Sequence, residues 1–315
     1  MKYDTILLAG DRKSSRSVFG RNKSLLEING IPLFIHALSA LQSVKDVGNI
    51  YIVGPKASID ELLQRHSDKL TTKKKTVVVE QRDTLYENVW DTFLSIIPDY
   101  KSGNELRDPL LMDKSIFVLA GDVPLITSFE IEEFLSKCDM VNYDYCIGMT
   151  EEEVMKNYYP YDNRPGIRLA YLYLHRKKYR VNNLHLLKPF KIKNREYIEK
   201  MYEYRYQKDL RNIIMLTIEI VKRHAGFKSL FLYSIVEMSL LLFNIHLEFF
   251  SPIFRRFAPV KSAEKIVSDV LGTRLKAVET SFGGTALDVD NERDFNTIKI
   301  MYKEWMEYQK KVQNL

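Results

Sequence analysis

The chain has 315 residues, 45% of them hydrophobic and 28% charged, and its 16 Phe and 19 Tyr supply ample surface to bury, which excludes a mainly disordered or fibrous protein. The formal net charge of +6 suits anionic partners, but the basic residues are scattered and form no recognition motif, so nucleic acid is not expected among them. Only two cysteines occur, Cys138 and Cys146, which excludes a disulfide scaffold and fits a reducing, cytoplasmic compartment.

No long apolar leader precedes the first element; residues 1–8 read straight into a strand over 3–8, a short apolar run ending at Ala9-Gly10. A polar, basic loop follows, and a helix is expected over 32–41 with Pro32 in its first turn. The run NIYIV at 49–53 reads as a second strand closed by Gly54-Pro55, followed by a helix over 58–65. A third strand over 76–79 leads to a helix over 84–97, with Thr84 and Glu87 spaced as a capping box. The run SIFVL at 115–119 is a fourth strand, closed by Ala120-Gly121-Asp122, and 129–137 is helical. This β-α-β-α alternation predicts a parallel sheet with helices on both faces and ligands at the carboxyl ends of its strands.

From about residue 150 the alternation breaks. Residues 180–189 are strand-like, 195–223 read as a charged helix and 229–250 are strongly apolar. Near residue 262 the pattern returns, with a helix to about 270, strand-like segments over 275–278 and 286–289, and a last helix from 291. The expected organisation is an α/β core over 1–150, a largely helical, acceptor-side insertion over 151–261, and completion of the core over 262–315. Within the insertion, Ser234, Glu237, Asn244, Glu248 and Ser251 fall on one narrow helical stripe. That pattern fits a buried helix, a homodimer interface through 229–251, or a helix lying on a membrane surface, where Lys222, Arg223, Lys228, Arg255 and Arg256 would flank it. Glu237, His246 and Glu248 argue against a membrane span.

Four segments carry chemistry. In the first, small residues at the tip of the first strand (Leu8, Ala9, Gly10, then Asp11) let backbone amides approach phosphate oxygens, and Arg12, Lys13, Arg16, Arg21 and Lys23 supply positive charge. The second follows the third strand and offers Gln81 and Asn88 as polar contacts. The third, GDVPL at 121–125, delivers Asp122 to the carboxyl edge of the sheet, where a carboxylate needs a cation or donors. The fourth, GGTALDVDN at 283–291, holds Asp288 and Asp290, which share a face if both lie in one strand. No Ser-His-Asp set, Cys-His pair or zinc-like histidine spacing is present.

These segments resemble the MobA-like NTP transferases, the nucleotidyltransferases related to the molybdenum-cofactor guanylyltransferase. That family's signature is a strand, L-A-G-G, a glycine- and arginine-containing loop, and K-x-L-L-x-x-x-G-x-P-L. Residues 23–33, KSLLEINGIPL, fit its second half, and G-D-x-P-L at 121–125 fits its metal-binding motif, while Asp11 stands where the family has its second glycine. The resemblance implies a Rossmann-like, GT-A-type fold of the nucleotide-diphospho-sugar transferase superfamily. It also implies a loop of Leu8, Ala9, Gly10 and Asp11 around a triphosphate, with Lys23 on its oxygens and Arg16 as the catalytic arginine, Arg12 or Arg21 being alternatives. Gln81, Asn88 and Gly121 would contact the nucleotide, and Asp122 with Asp288 would hold Mg²⁺ or Mn²⁺, Asp290 being the next choice. The implied reaction moves a nucleotidyl group from an NTP to a phosphorylated small molecule with release of pyrophosphate. Arg168, Arg180, Asn182 and Asn183 are candidates for the acceptor's phosphate. The competing readings are a glycosyltransferase, for which Asp288-Val289-Asp290 would be the Asp-x-Asp pair, and a degenerate, non-catalytic nucleotide-binding protein.

Overall fold

The computed structural model describes residues 2–12, 17–70, 74–174, 177–198 and 260–313. In chain order the elements are β1 Tyr3–Leu8, the ribbon β2 Ser17–Val18 and β3 Arg21–Asn22, the ribbon β4 Glu27–Ile28 and β5 Ile31–Pro32, α1 Leu33–Ser43, β6 Val47–Gly54, α2 Lys56–Arg65, β7 Thr76–Glu80 and α3 Leu85–Ser95. There follow α4 Pro109–Met112, β8 Ile116–Ala120, α5 Ser128–Lys137, β9 Tyr145–Glu151, α6 Glu152–Met155, β10 Leu172–Leu174, β11 Lys177–Leu187, α7 Val260–Leu271, β12 Leu275–Thr280 and α8 Glu292–Gln313.

Eight strands form one sheet in the order β12-β9-β11-β8-β1-β6-β7, with β10 paired to β11. Strand β1 runs parallel to β6 and β8, β6 parallel to β7, and β12 parallel to β9. The expectation of a parallel sheet therefore holds except at β11, which is antiparallel to both β8 and β9. The reason is connective. Strand β9 ends at the carboxyl edge, the chain from 152 to 171 stays there, and β11 enters from that edge and runs back. Strands β10 and β11, expected within a largely helical insertion, thus contribute to the central sheet. The helices expected over 195–223 and 229–250, with the interface and membrane readings attached to them, lie outside the described residues. Among the described residues no helix is long and apolar enough to cross a membrane.

Alternation along the strands builds a core on each face of the sheet. Leu7 of β1 packs with Phe34 and Leu38 of α1 and with Ile131 and Phe134 of α5. Its neighbour Ile6 joins Phe93 of α3, Val53 and Ile116 on the other face. A third cluster sets Trp305 of α8 beside Tyr158, Leu125 and Leu287. The capping box expected at α3 forms, Thr84 Oγ1 accepting from Glu87 N at 3.1 Å and Glu87 Oε2 accepting from Thr84 N at 2.9 Å. Residues 286–289 were expected in a strand; instead β12 ends at Thr280, Gly283 adopts a φ of 82°, and a single turn follows at Gly284–Ala286. The left-handed glycine turns the chain out of the sheet before the acidic residues arrive.

Candidate active site

The first loop is tied down at both limbs. Beyond β1, Ala9 N donates to Val53 O at 2.8 Å, and beyond β8, Gly121 N donates to Leu8 O at 2.7 Å. These two amides, expected to face a nucleotide, are engaged in extending the sheet. Asp11 and Gln81 bond reciprocally: Asp11 N donates to Gln81 Oε1 at 2.8 Å, and Gln81 Nε2 donates to Asp11 Oδ1 at 2.7 Å. Gly10 lies close beneath this pair: a Cβ there would come within 2.9 Å of Gln81 Oε1 and push that side chain aside. Asn88, also buried, accepts from Arg82 N at 2.6 Å. Gln81 and Asn88 therefore shape the loop wall. Arg12 is drawn aside by Asp83 at 3.6 Å and Glu80 at 3.9 Å. Arg16 and Lys13 lie outside the described residues. On the returning limb Asn22 Nδ2 donates to Ala9 O at 2.8 Å, while Asn22 Oδ1 accepts from Ser24 N at 3.0 Å. This double hold by Asn22, which the sequence reading missed, delivers Lys23.

Lys23 Nζ is ion-paired with Asp122 Oδ2 and lies 3.1 Å from Asp290 Oδ1. Arg180 of β11 reaches Asp288 Oδ1 at 3.3 Å. The two acidic loops are joined through the backbone, Val289 N donating to Asp122 O at 3.0 Å. Asp122, Asp288 and Asp290 thus meet Lys23 and Arg180 at the carboxyl edge of the sheet. Asp288 and Asp290 do so from an irregular segment, their side chains taken by different cations. Burial alone would pull the Lys23 ammonium down, but Asp122, Asp290 and Asp288 outweigh it and hold its pKa above the ordinary value. Burial, followed by the charges of Asp290 and Asp122, pushes the Asp288 carboxyl up despite Arg180 and Lys23.

The donor set fits a hard divalent cation. Asp122 Oδ1 is buried and has no hydrogen-bond partner among the described residues, and three carboxylates face two cations. Among the described residues no group of three or more His, Cys, Asp or Glu is arranged as a ready-made metal cage. A cation such as Mg²⁺ that takes one or two carboxylates and completes its shell with phosphate oxygens and water suits that arrangement. A separate cleft of about 610 Å³ opens between the returning limb and α2, lined by Asp11, Arg21, Asn22, Leu25, Pro55 and Arg65 among others; Asp122, Asp288 and Gln81 do not line it.

The middle-region candidates divide. Arg180 joins the acidic cluster. Arg168 lies over the Tyr159 ring, 5.8 Å from its centroid. Asn182 is buried and donates to Thr150 Oγ1 at 3.2 Å and Thr280 Oγ1 at 3.0 Å, and Asn183 donates to Thr285 O at 3.0 Å. The β11 register shifts between Val181 and His185, the stretch that carries both asparagines.

The MobA-like NTP transferase domain family matches residues 5–220. Over 130 residues the chain is 29% identical to a 2-C-methyl-D-erythritol 4-phosphate cytidylyltransferase from Chlorobium luteolum, covering 41% of this chain and 51% of that protein. The protein of the same name from Chlorobium phaeovibrioides is 26% identical over 115 residues, covering 36% of this chain and 47% of the relative. The chain therefore spans about half the length of the curated relatives it matches. Among solved structures, a hypothetical transferase from Thermus thermophilus superposes with a TM-score of 0.60 at 19% identity, over 93% of this chain and 99% of that one, a likeness of fold.

Proposed function

The chain belongs to the MobA-like NTP transferase family, with that family's GT-A-like α/β fold, and from this premise we propose that it is a divalent-cation-dependent nucleotidyltransferase. It moves the nucleotidyl group of an NTP onto a phosphorylated small molecule and releases pyrophosphate. The observation that carries this reading is the meeting of Asp122, Asp288 and Asp290 with Lys23 at one edge of the sheet.

Asp122 and Asp288 would hold Mg²⁺ or Mn²⁺, with Asp290 beside them; the ion, when bound, supplies charge stabilisation at the α-phosphate. Lys23, paired with carboxylates in this structure, exchanges them for phosphate oxygens when the nucleotide arrives. The carboxylates around it hold it as an ammonium in this structure, and as a cation it would offset charge at the phosphates. Arg180 of β11, 3.3 Å from Asp288, would offset charge on an acceptor phosphate. Positioning and electrostatics of this kind require no covalent enzyme intermediate.

The names of the two curated relatives make CTP and a polyol phosphate the first pair to try. The test is pyrophosphate release with each of the four NTPs, Mg²⁺ or Mn²⁺, and a panel of sugar and polyol phosphates. Turnover that is lost in Asp122→Asn supports the reading. Pyrophosphate release that persists in Asp122→Asn, or that never exceeds background while a nucleotide sugar is hydrolysed, rejects it.

A further inference from the structure

Helix α5 carries two carboxylates, three residues apart, that grip the turn after β12. Glu130 is fully buried. Its Oε2 accepts from Thr285 N at 3.0 Å, and its Oε1 accepts from Thr285 Oγ1 at 2.7 Å and from Thr280 Oγ1 at 3.5 Å. Glu133 accepts from Ser281 N at 2.8 Å and Ser281 Oγ at 2.7 Å, and is itself held by Lys137 Nζ at 2.7 Å. Glu130 further anchors a buried polar chain, in which Thr280 Oγ1 lies 3.2 Å from Thr150 Oγ1 and accepts from Asn182 Nδ2. A buried carboxylate is costly unless donors converge on it. Here the donors converge from the one segment that leads to Asp288.

The other end of this frame is the Asp122 loop, because α5 starts six residues after Asp122 and Thr127 caps it, Thr127 Oγ1 accepting from Glu130 N at 3.3 Å. The two loops also touch directly. A Cβ at Gly284 would lie 2.2 Å from Leu125 O, and that same carbonyl accepts from Gln309 Nε2 at 2.7 Å. Val289 N donates to Asp122 O at 3.0 Å.

We propose that Glu130 is a positioning residue: by gripping the 280–285 turn from α5, its carboxylate sets the separation between Asp122 and the pair Asp288 and Asp290. Its effect on cation binding rests on the function proposed above; its effect on the geometry of the loop does not. Glu130 touches neither the acidic cluster nor any reacting group, so it acts through the turn it grips, chiefly through its two short bonds from Thr285. Thr285 is therefore expected to need its hydroxyl, and serine to replace it where valine fails.

The experiment compares Glu130→Gln, Thr285→Val and Thr285→Ser with the unaltered protein and with Asp288→Asn as control. Backbone amide hydrogen exchange is read at Val289, and Mn²⁺ binding by electron paramagnetic resonance with Mn²⁺ alone as probe. Glu130→Gln and Thr285→Val are expected to speed exchange at Val289 at least tenfold, leave amides of β1 and α1 unchanged, and weaken Mn²⁺ binding about tenfold; Thr285→Ser is expected to restore both. Unchanged exchange at Val289 in Glu130→Gln overturns the proposal, as does faster exchange spread evenly over the sheet. If Asp288→Asn binds Mn²⁺ as the unaltered protein does, the cation assignment falls, and the exchange result alone still decides the role of Glu130.

Discussion

The Lys23 ammonium is paired directly with the Asp122 carboxylate, and Asp290 shares it at 3.1 Å. One lysine thereby balances two acid loops that come from distant parts of the chain, in surroundings that leave Asp122 5% exposed. The pairing sets opposite expectations for its two members.

Asp122→Asn removes a carboxylate from a cluster in which negative charge exceeds positive, and one of whose oxygens has no hydrogen-bond partner among the described residues. Pyrophosphate release is expected to fall by about 10²–10³-fold, the range seen when a single transition-state electrostatic contact is lost. The midpoint of thermal unfolding is expected to hold or rise, because repulsion from Asp288 and Asp290 is relieved. A mutant that keeps its turnover, or that loses activity only in proportion to unfolding, contradicts this assignment.

Lys23→Met does the reverse. It leaves Asp122 and Asp290 without their ammonium, and a broken buried pair costs about 3 kcal/mol. Urea unfolding is expected to show that loss in the absence of divalent ions and to recover part of it in millimolar Mn²⁺, because a cation then replaces the lysine. Equal destabilisation with and without Mn²⁺ would show that the carboxylates do not share a cation.

Glu130 sets a pH dependence of stability. Burial, set against the hydrogen bonds from Thr285, raises its pKa from 4.5 to about 7. In the window between those values the folded state holds a proton that the unfolded state has lost. Stability is therefore fully present below pH 4.5 and declines as pH rises through 7, by on the order of 3 kcal/mol for this group. Glu130→Gln is expected to flatten that part of the profile, measured as urea midpoints from pH 4.5 to 8. An unaltered slope in the mutant would assign the dependence to other groups.

At the opposite edge of the sheet, Arg274 grips Asp144 with two bonds of 2.7 Å, and Lys188 lies between Asp113 at 2.8 Å and Asp144 at 3.6 Å. These residues precede β12 and β9 and follow β11, so the clamp fixes the register of those strands. Asp144→Ala leaves Lys188 buried without its second partner and is expected to cost about 3 kcal/mol. Turnover per folded molecule should not change, since the clamp lies far from the acidic cluster along the strands. Reduced kcat at full folding would reveal a coupling across the sheet.

Asp11 places a negative charge on the first loop, held by Gln81. Asp11→Asn can keep the acceptor for Gln81 Nε2 while removing the charge. The KM for the Mg-NTP complex is expected to drop about threefold with kcat little changed, an effect that shrinks as salt is added. A rise in KM would instead make the Asp11 carboxylate a contact of the bound nucleotide.

The alternation of apolar runs with helix-period segments was enough to read β1, β6, β7, β8 and the helices α1, α2 and α3, because each signal is local. Thr84 with Glu87 could likewise be read as a capping box from spacing alone. The direction of β11 could not, since an antiparallel strand has the same apolar pattern as a parallel one; only the edge from which the chain enters decides it. Residues 286–289 misled for a related reason: their apolar pattern suits a strand, but the left-handed Gly283 had already diverted the backbone.

The candidate site divides in the same way. Asp122, Asp288 and Lys23 stand in motifs that single them out as candidates from the sequence. That Lys23 would pair with Asp122 and Asp290, that Arg180 would reach Asp288, and that Glu130 would grip Thr285 were decided by tertiary structure. Hydrophobic period and capping are written within a turn or two of the chain. Charge pairing depends on which strand tips the crossovers bring together and which side chains are then too buried to be left to water, and neither leaves a trace in the local pattern.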